Sequence, residues 1–218
     1  MRIRWLGHAG FELCMDGKCI VIDPFISDNP SSGLRLDDVR HADIVAATHA
    51  HFDHWPDALK IAKRDRAPLV CIGDHKSAAI DAGVEDVVSV NIGGTVRIKG
   101  IDIHCTAALH SAASCGYVFA GEGDRVYHAG DTGLFGDMEL IGEMYRPEVA
   151  LLPIGGKYTM GPYEAAKAAE LVGAKVVVPM HYNTFDSIKQ SPEEFREMAC
   201  KNAICEVVII KEGEALDI

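Results

Sequence analysis

Short strand-like runs dominate the first quarter of the chain. Arg2–Leu6, Phe11–Met15 and Lys18–Ile22 are each bounded by turn-forming residues, and Asp16-Gly17 between the last two is a tight hairpin signal. Ile22 runs into Asp23-Pro24, where the strand should end, and Ser27–Leu36 reads as an exposed loop near the functional site. The apolar run Ile44-Val45-Ala46-Ala47 predicts another strand. Trp55–Arg66 then takes a helical pattern, with Pro56 suited to its first turn. Leu69–Ile72, Val87–Val90, Thr95–Lys99 and Ile101–Thr106 follow as strands, with a short helix around Lys76–Ala82.

The second half repeats this grammar. Tyr117–Ala120 and Arg125–Ala129 flank the turn Gly121-Glu122-Gly123, and Val149–Leu152 and Val176–Val178 are continuous apolar strands. Between those two lies a helix over Pro162–Val172, with proline at its start and Gly173 after its end. Ser191-Pro192-Glu193-Glu194 is a capping box opening the last helix, and Val207–Ile210 and Ala215–Ile218 complete the sheet positions. Two sheet-rich halves interleaved with helices predict two packed sheets covered by helices, an α/β fold of αββα layering. With 218 residues, 48% hydrophobic content and no linker rich in Gly, Ser or charge, residues 1–218 are read as one domain.

The chemistry concentrates in Thr48-His49-Ala50-His51-Phe52-Asp53-His54. Four good metal ligands, His49, His51, Asp53 and His54, fall within six positions directly after an apolar strand. A loop leaving that strand can aim His49 and His51 at one point and, after a turn, Asp53 and His54 at a second. Imidazoles with a carboxylate suit zinc, iron or manganese. A structural purpose for two clustered histidine pairs is hard to find.

One loop supplies too few donors for two cations. His110, Asp131 and His181 each sit just past a predicted strand, the position that His49 occupies, and Gly130 beside Asp131 allows close backbone approach. The plain alternatives are polar strand ends for the two histidines and a turn former for Asp131.

Formal charge is −11, without a basic stripe, which argues against nucleic acid and against anionic membrane surfaces as partners. Bound cations would reverse the field locally, so a small-molecule substrate is expected, an anionic one included. The seven cysteines are odd in number and form no C-x-x-C pair, which suggests reduced thiols. With no secretory or membrane segment at Met1–Leu6, a cytoplasmic location is expected. Cys71 and Cys105 lie in apolar runs and read as core packing.

The order H-x-H-x-D-H, His110, Gly-Asp131, His181 resembles the metallo-β-lactamase superfamily. Trp5-Leu6-Gly7-His8-Ala9-Gly10-Phe11 and Tyr127-His128-Ala129-Gly130-Asp131-Thr132 are similar to a branch of small metal-dependent hydrolases related to ascorbate-6-phosphate lactonases. The resemblance implies the four-layer αββα metallo-β-lactamase-type sandwich and two divalent ions, zinc first, with manganese or iron as alternatives. It implies one ion held by His49, His51 and His110, the other by Asp53, His54 and His181, and Asp131 bridging them. Asp23 would match an acid that supports the histidine loop from behind the ligands.

The expected activity is hydrolysis of an ester, lactone or phosphodiester by a metal-bridged hydroxide, with Asp53 relaying the proton to the leaving oxygen. His8 interrupts an apolar strand at a glycine and is expected near the pocket mouth, as a substrate contact, with a surface or core role as the alternative. Lys157, Tyr158, Tyr182 and Asn183 lie in loops beside strand ends and are candidate contacts for a substrate carboxylate or phosphate. His41, His75, His104 and His128 match no ligand position and are read as structural. Two rivals stand beside this reading: a mononuclear iron persulfide dioxygenase, which would leave several donors idle, and a metal-bound binding protein with little turnover. A transfer-RNA nuclease would need a basic arm that this acidic chain lacks, and a β-lactamase would need an export signal.

Overall fold

Helices cover the outer faces of two seven-stranded mixed sheets. The structure, a computed structural model, describes residues 1–202 and 205–218. The first sheet holds β1 (Arg2–Gly7), β2 (Gly10–Met15), β3 (Lys18–Ile22), β4 (Ile44–Ala46), β5 (Leu69–Cys71) and β6 (Val87–Ser89) in sequence order. The second runs from β7 (Thr95–Ile98) through β8 (Ile101–Ala107), β9 (Cys115–Ala120), β10 (Arg125–His128), β11 (Val149–Pro153) and β12 (Val176–Met180) to β13 (Glu206–Val207). The chain then crosses back, and β14 (Ala215–Asp217) pairs antiparallel with β1 at the edge of the first sheet.

Side-chain alternation explains the apolar runs. In β3 and β4, Ile20, Ile22, Ile44 and Ala46 face the core between the sheets. Val21 and Val45 face the opposite way, into a second core beneath α1 (Pro56–Asp65) and α2 (Lys76–Asp81), joined there by Ala58, Ile61 and Ala79. A strand buried on both faces needs apolar residues at every position. The Asp16-Gly17 hairpin has positive φ at both residues, 49° and 71°, as its two-residue turn requires. Cys71 and Cys105 are both core residues, 0% and 1% exposed.

On the second sheet, α4 (Pro162–Val172) packs an alanine-rich face, Ala165, Ala168 and Ala169, against the core and ends at Gly173 with φ 65°. The final helix, α5 (Pro192–Asn202), starts where the capping box places it, with Ser191 Oγ accepting from the Glu194 amide at 3.1 Å. The hydropathy pattern does not predict α3 (Met138–Tyr145), because the helix has only eight residues and a glycine inside it. Gly142 is needed there: a Cβ would collide with the Val172 carbonyl oxygen at the end of α4. A second departure is β13, since the expected strand Val207–Ile210 is only Glu206–Val207, and Ile210 turns into the core between the sheets.

Candidate metal centre

Strands β3, β4, β8, β10 and β12 all end at one edge of the sandwich, because β3 and β4 are parallel and β10 is parallel to β11 and β12. The loops leaving them carry Asp23, the Thr48–His54 segment, His110, Asp131 and His181. The two sheets touch here. The Cys115 amide donates to the Thr48 carbonyl at 3.1 Å, and a Cβ on Gly130 would meet the Cys115 carbonyl oxygen at 2.6 Å. Gly130 also has φ 63°, so glycine is required on both counts to bring Asp131 against the histidine loop. His110 is tied to the same turn, since Leu109 N donates to Thr132 Oγ1 and Gly133 N to Leu109 O, each at 2.9 Å.

The dispersed residues converge. His49 Nε2 lies 2.9 Å from His51 Nδ1, and His110 Nε2 lies 3.3 Å from the same His51 nitrogen. Asp131 sits in the middle. Its Oδ2 is 3.0 Å from His181 Nε2, 3.6 Å from His110 Nε2 and 3.9 Å from His49 Nε2. Its Oδ1 is 3.5 Å from His54 Nε2, which is itself 4.0 Å from Asp53 Oδ1. Ligand atoms of His49, His51 and His110 form one compact group, and those of Asp53, His54, His181 and His8 form another.

Several of these atoms approach closely without making hydrogen bonds. His54 Nε2, Asp131 Oδ1 and both ring nitrogens of His181 are buried and have no hydrogen-bond partner among the described residues. Polar atoms buried in that condition cost free energy unless something else binds them. Imidazole nitrogens and carboxylate oxygens aimed at common points are the donor set that divalent transition metals satisfy, so these residues fit the cations expected from the sequence.

Supports behind the donors hold their orientation. Asp23 is fully buried with φ 44° at the end of β3. It accepts from the Thr48 amide at 2.8 Å and the Thr48 hydroxyl at 2.6 Å, and its Oδ2 takes His54 Nδ1 at 2.8 Å. That contact fixes the His54 tautomer and points Nε2 at the centre. His128 is buried behind Asp131: its Nε2 donates to the Ala9 carbonyl at 2.8 Å, and its Nδ1 accepts from the Gly130 amide at 3.1 Å. It steadies the turn without facing the donors. His41, His75 and His104 lie away from the centre, the last against Tyr145 at 4.6 Å between ring centroids.

Electrostatics divide the histidines. Burial, reinforced by repulsion from His54, pulls His49 down to about 3, and burial with repulsion from His181 pulls His8 to about 4. Both rings stay neutral and keep a lone pair. His54 moves the other way: burial opposes its charge, yet Asp131 and Asp23 hold its pKa well above 6.5. Burial likewise opposes ionisation of Asp53, while the His8 hydrogen bond and His54 keep its carboxylate below the usual range. A cation held by His54 would displace that proton, so loading at pH 7 is expected to release it. Titration calorimetry in two buffers of different ionisation enthalpy checks this. The heats should differ at pH 7 and converge as pH rises through the His54 pKa; equal heats at neutral pH would contradict it.

A cavity of about 510 Å³ opens over the centre, lined by His51, Asp53, His110, Asp131 and His181 together with Phe52, Tyr158, Phe185 and Ile188. A larger cleft of about 870 Å³ beside α3 holds none of the candidate ligands. Of the five residues considered for substrate contact, only Tyr158 lies on the cavity wall. His8 is 1% exposed rather than at the mouth, because Gly7 and His8 both take positive φ and turn the ring inward. Its Nε2 donates to Asp53 Oδ2 at 3.0 Å, and its Nδ1 takes the Thr184 hydroxyl at 2.9 Å. Tyr182 is buried, stacked on Trp5 at 5.5 Å. Asn183 uses its side-chain oxygen to accept from the Gln190 amide, and Lys157 lies over the Tyr158 ring. Of the loop Ser27–Leu36, no residue lines the cavity. Sequence reasoning missed Phe52, Phe185 and Thr184. Phe52 had a signal, since a loop that turns both its neighbours inward leaves it facing out.

Residues 18–182 match the Beta-lactamase superfamily domain. The chain is 50% identical to a UPF0173 metal-dependent hydrolase of Methanopyrus kandleri, with 100% of both chains covered. It is 46% identical to a UPF0173 metal-dependent hydrolase of Caldivirga maquilingensis, over 99% of this chain and 97% of the relative. Among solved structures, Igni18, a metallo hydrolase from the archaeon Ignicoccus hospitalis, superimposes with a TM-score of 0.93 at 40% identity, covering 99% of this chain and 97% of that one. The chain belongs to the β-lactamase superfamily and, within it, to the UPF0173 metal-dependent hydrolases.

Proposed function

We propose that the protein is a dinuclear metal hydrolase that cleaves an ester, lactone or phosphodiester bond in a small-molecule substrate. The position of Asp131 carries this reading. One carboxylate faces donors of both groups, His49, His110 and His181 from Oδ2 and His54 from Oδ1, which a single-ion site would not need. His49, His51 and His110 would hold one ion, Asp53, His54 and His181 the second, and Asp131 both. Zinc is the first expectation from the donor set. Cations bound there supply Lewis acidity and a water acidified toward neutrality.

Hydrolysis joins a water oxygen to the electrophilic carbon or phosphorus. The bond to the leaving oxygen breaks with its electron pair, and one water proton ends on that oxygen. Asp53 lines the cavity, and the His8 hydrogen bond and His54 keep its carboxylate ionised but weakly basic, which suits a group that hands the proton on to the leaving oxygen rather than holding it. His8 pins Oδ2 of Asp53, while Oδ1 takes no hydrogen bond among the described residues, so the carboxylate has one fixed orientation. Thr184 fixes His8 in turn.

The test combines metal quantification with a panel of ester, lactone and phosphodiester substrates. Two ions per chain with turnover on one bond class supports the reading; one iron per chain with oxygen consumed would replace it with the oxygenase rival. Asp53→Asn is expected to lower kcat by about 10²–10⁴-fold, the range for loss of a proton-transfer group, and by more than any fall in bound metal. Activity that tracks metal content alone would remove Asp53 from the proton path.

A further inference from the structure

Resting on the hydrolase reading above, we infer that the cavity selects substrates whose portion beyond the scissile bond is an uncharged, ring-sized apolar group. Beside the donors the cavity is lined by three aromatic rings, Phe52, Tyr158 and Phe185, with Ile188, Ser111 and Ser187 making up the rest. Phe52 projects from between two candidate ligands and is 64% exposed, the largest hydrophobic surface on the histidine loop. Its ring meets Phe25 edge-on, with centroids 5.8 Å apart at 89°, and Phe185 at 6.3 Å. Phe25 and Phe185 also contact each other at 6.2 Å. Phe25 and Ile188 are packed in the interior, 2% and 1% exposed, so the wall rests on rigid support and keeps its shape without substrate. Tyr158, 56% exposed, completes the rim.

Charge points the same way. No lysine or arginine lines the cavity among the described residues. Lys157 lies over the Tyr158 ring, 5.1 Å from its centroid, and Lys189 pairs with Asp186 at 2.7 Å. A remote phosphate or carboxylate on the substrate would therefore enter an aromatic wall with no cation to receive it, and desolvating it there is costly. An apolar ring gains from the same wall by burial and by edge-to-face contact. Binding sites for small molecules combine such walls with a few polar groups at the reacting end.

Metal-loaded protein is assayed on matched esters and lactones carrying a phenyl, a methyl or a phosphate group at the remote end, a phosphorylated sugar lactone included. The phenyl member is expected to exceed the others in kcat/KM by about 10–100-fold, through KM. In Phe52→Ala and Phe185→Ala the phenyl-to-methyl ratio should fall by a similar factor while bound metal matches the parent. Preference for the phosphate member, or an unchanged ratio in both variants, overturns the inference. Binding of 3-phenylpropanoate and of propanoate, followed by ligand-observed NMR, reads the wall without turnover. If two ions bind and no ester, lactone or phosphodiester is cleaved, the hydrolase reading fails by itself. Weaker 3-phenylpropanoate binding in the variants then still supports the wall, and equal binding overturns it.

Discussion

On the proposed dinuclear reading, Asp131→Asn is expected to strip the protein of both cations together. The substitution keeps shape and volume at a residue only 3% exposed, so the fold should survive it. It removes the charge that faces His49, His110 and His181 from Oδ2 and His54 from Oδ1. Replacing a hydrogen-bonding partner behind a metal ligand costs about 10–100-fold in affinity or activity. Loss of a carboxylate shared between both donor groups should exceed that, so hydrolysis should fall by more than about 100-fold. The decisive measurement is ions per chain by mass spectrometry after dialysis. His49→Ala and His181→Ala serve as contrasts, each expected to lose one ion and keep the other. An Asp131→Asn protein that retains two ions would show that the carboxylate does not bridge, and the dinuclear geometry would have to be redrawn.

The second large effect falls on Asp23, which touches no substrate. Its carboxylate and the His54 ring are both 0% exposed, and they meet at 2.8 Å. Taking away one member of a buried charge pair costs about 3–5 kcal/mol. Asp23→Ala should therefore lower unfolding stability by about that amount and weaken metal binding about 10–100-fold, because His54 loses the partner that aims it. Asp23→Asn is the milder variant. Asparagine tolerates the φ of 44° and can still accept from Thr48, so stability should suffer less than metal affinity.

The pH dependence of the pair has a definite sign in metal-free protein. Burial raises the pKa of Asp23, but His54 overrides it and holds the carboxyl below its ordinary 3.8, so its contribution is present above that pH and lost as pH falls through the folded value. His54 is raised well above 6.5, so its share is complete below that pH and lost as pH rises through its folded pKa. The stability gap between parent and Asp23→Ala should thus be widest between these limits, from about pH 4 to 6.5. Denaturant midpoints across that range measure it. A gap that is flat from pH 3 upward would show that the pair is not ionised as described.

Much of this molecule was legible from short stretches of chain. β3 and α4 fall where the hydropathy runs and the Pro and Gly punctuation place them, because strand period and helix termini are local properties. The H-x-H-x-D-H loop announced metal chemistry because such ligand density has no competing local purpose. Other features depended on distant partners. The glycine inside α3 looks like a helix breaker until the end of α4 arrives against the place where a Cβ would stand. His8 looked like a residue at the pocket mouth, since nothing nearby in sequence says that Asp53 and Thr184 flank its ring. Tyr182 and Asn183 looked available because they follow a strand end; the first is covered by Trp5 from the far end of the chain, and the side-chain oxygen of the second accepts from the Gln190 amide across a turn that the hydropathy pattern does not show.

The chain on its own determined the layered α/β class and the residue types of the donor set, since apolar periodicity and ligand chemistry are carried by each segment separately. Only the tertiary structure decided that Asp131 stands between two donor groups, that His8 backs Asp53, and that Phe52 and Phe185 share one wall with Phe25 packed behind them. Those relations join segments as far apart as residues 8 and 184. They arise when strands of both sheets end along one edge of a common core, a geometry that no local pattern encodes.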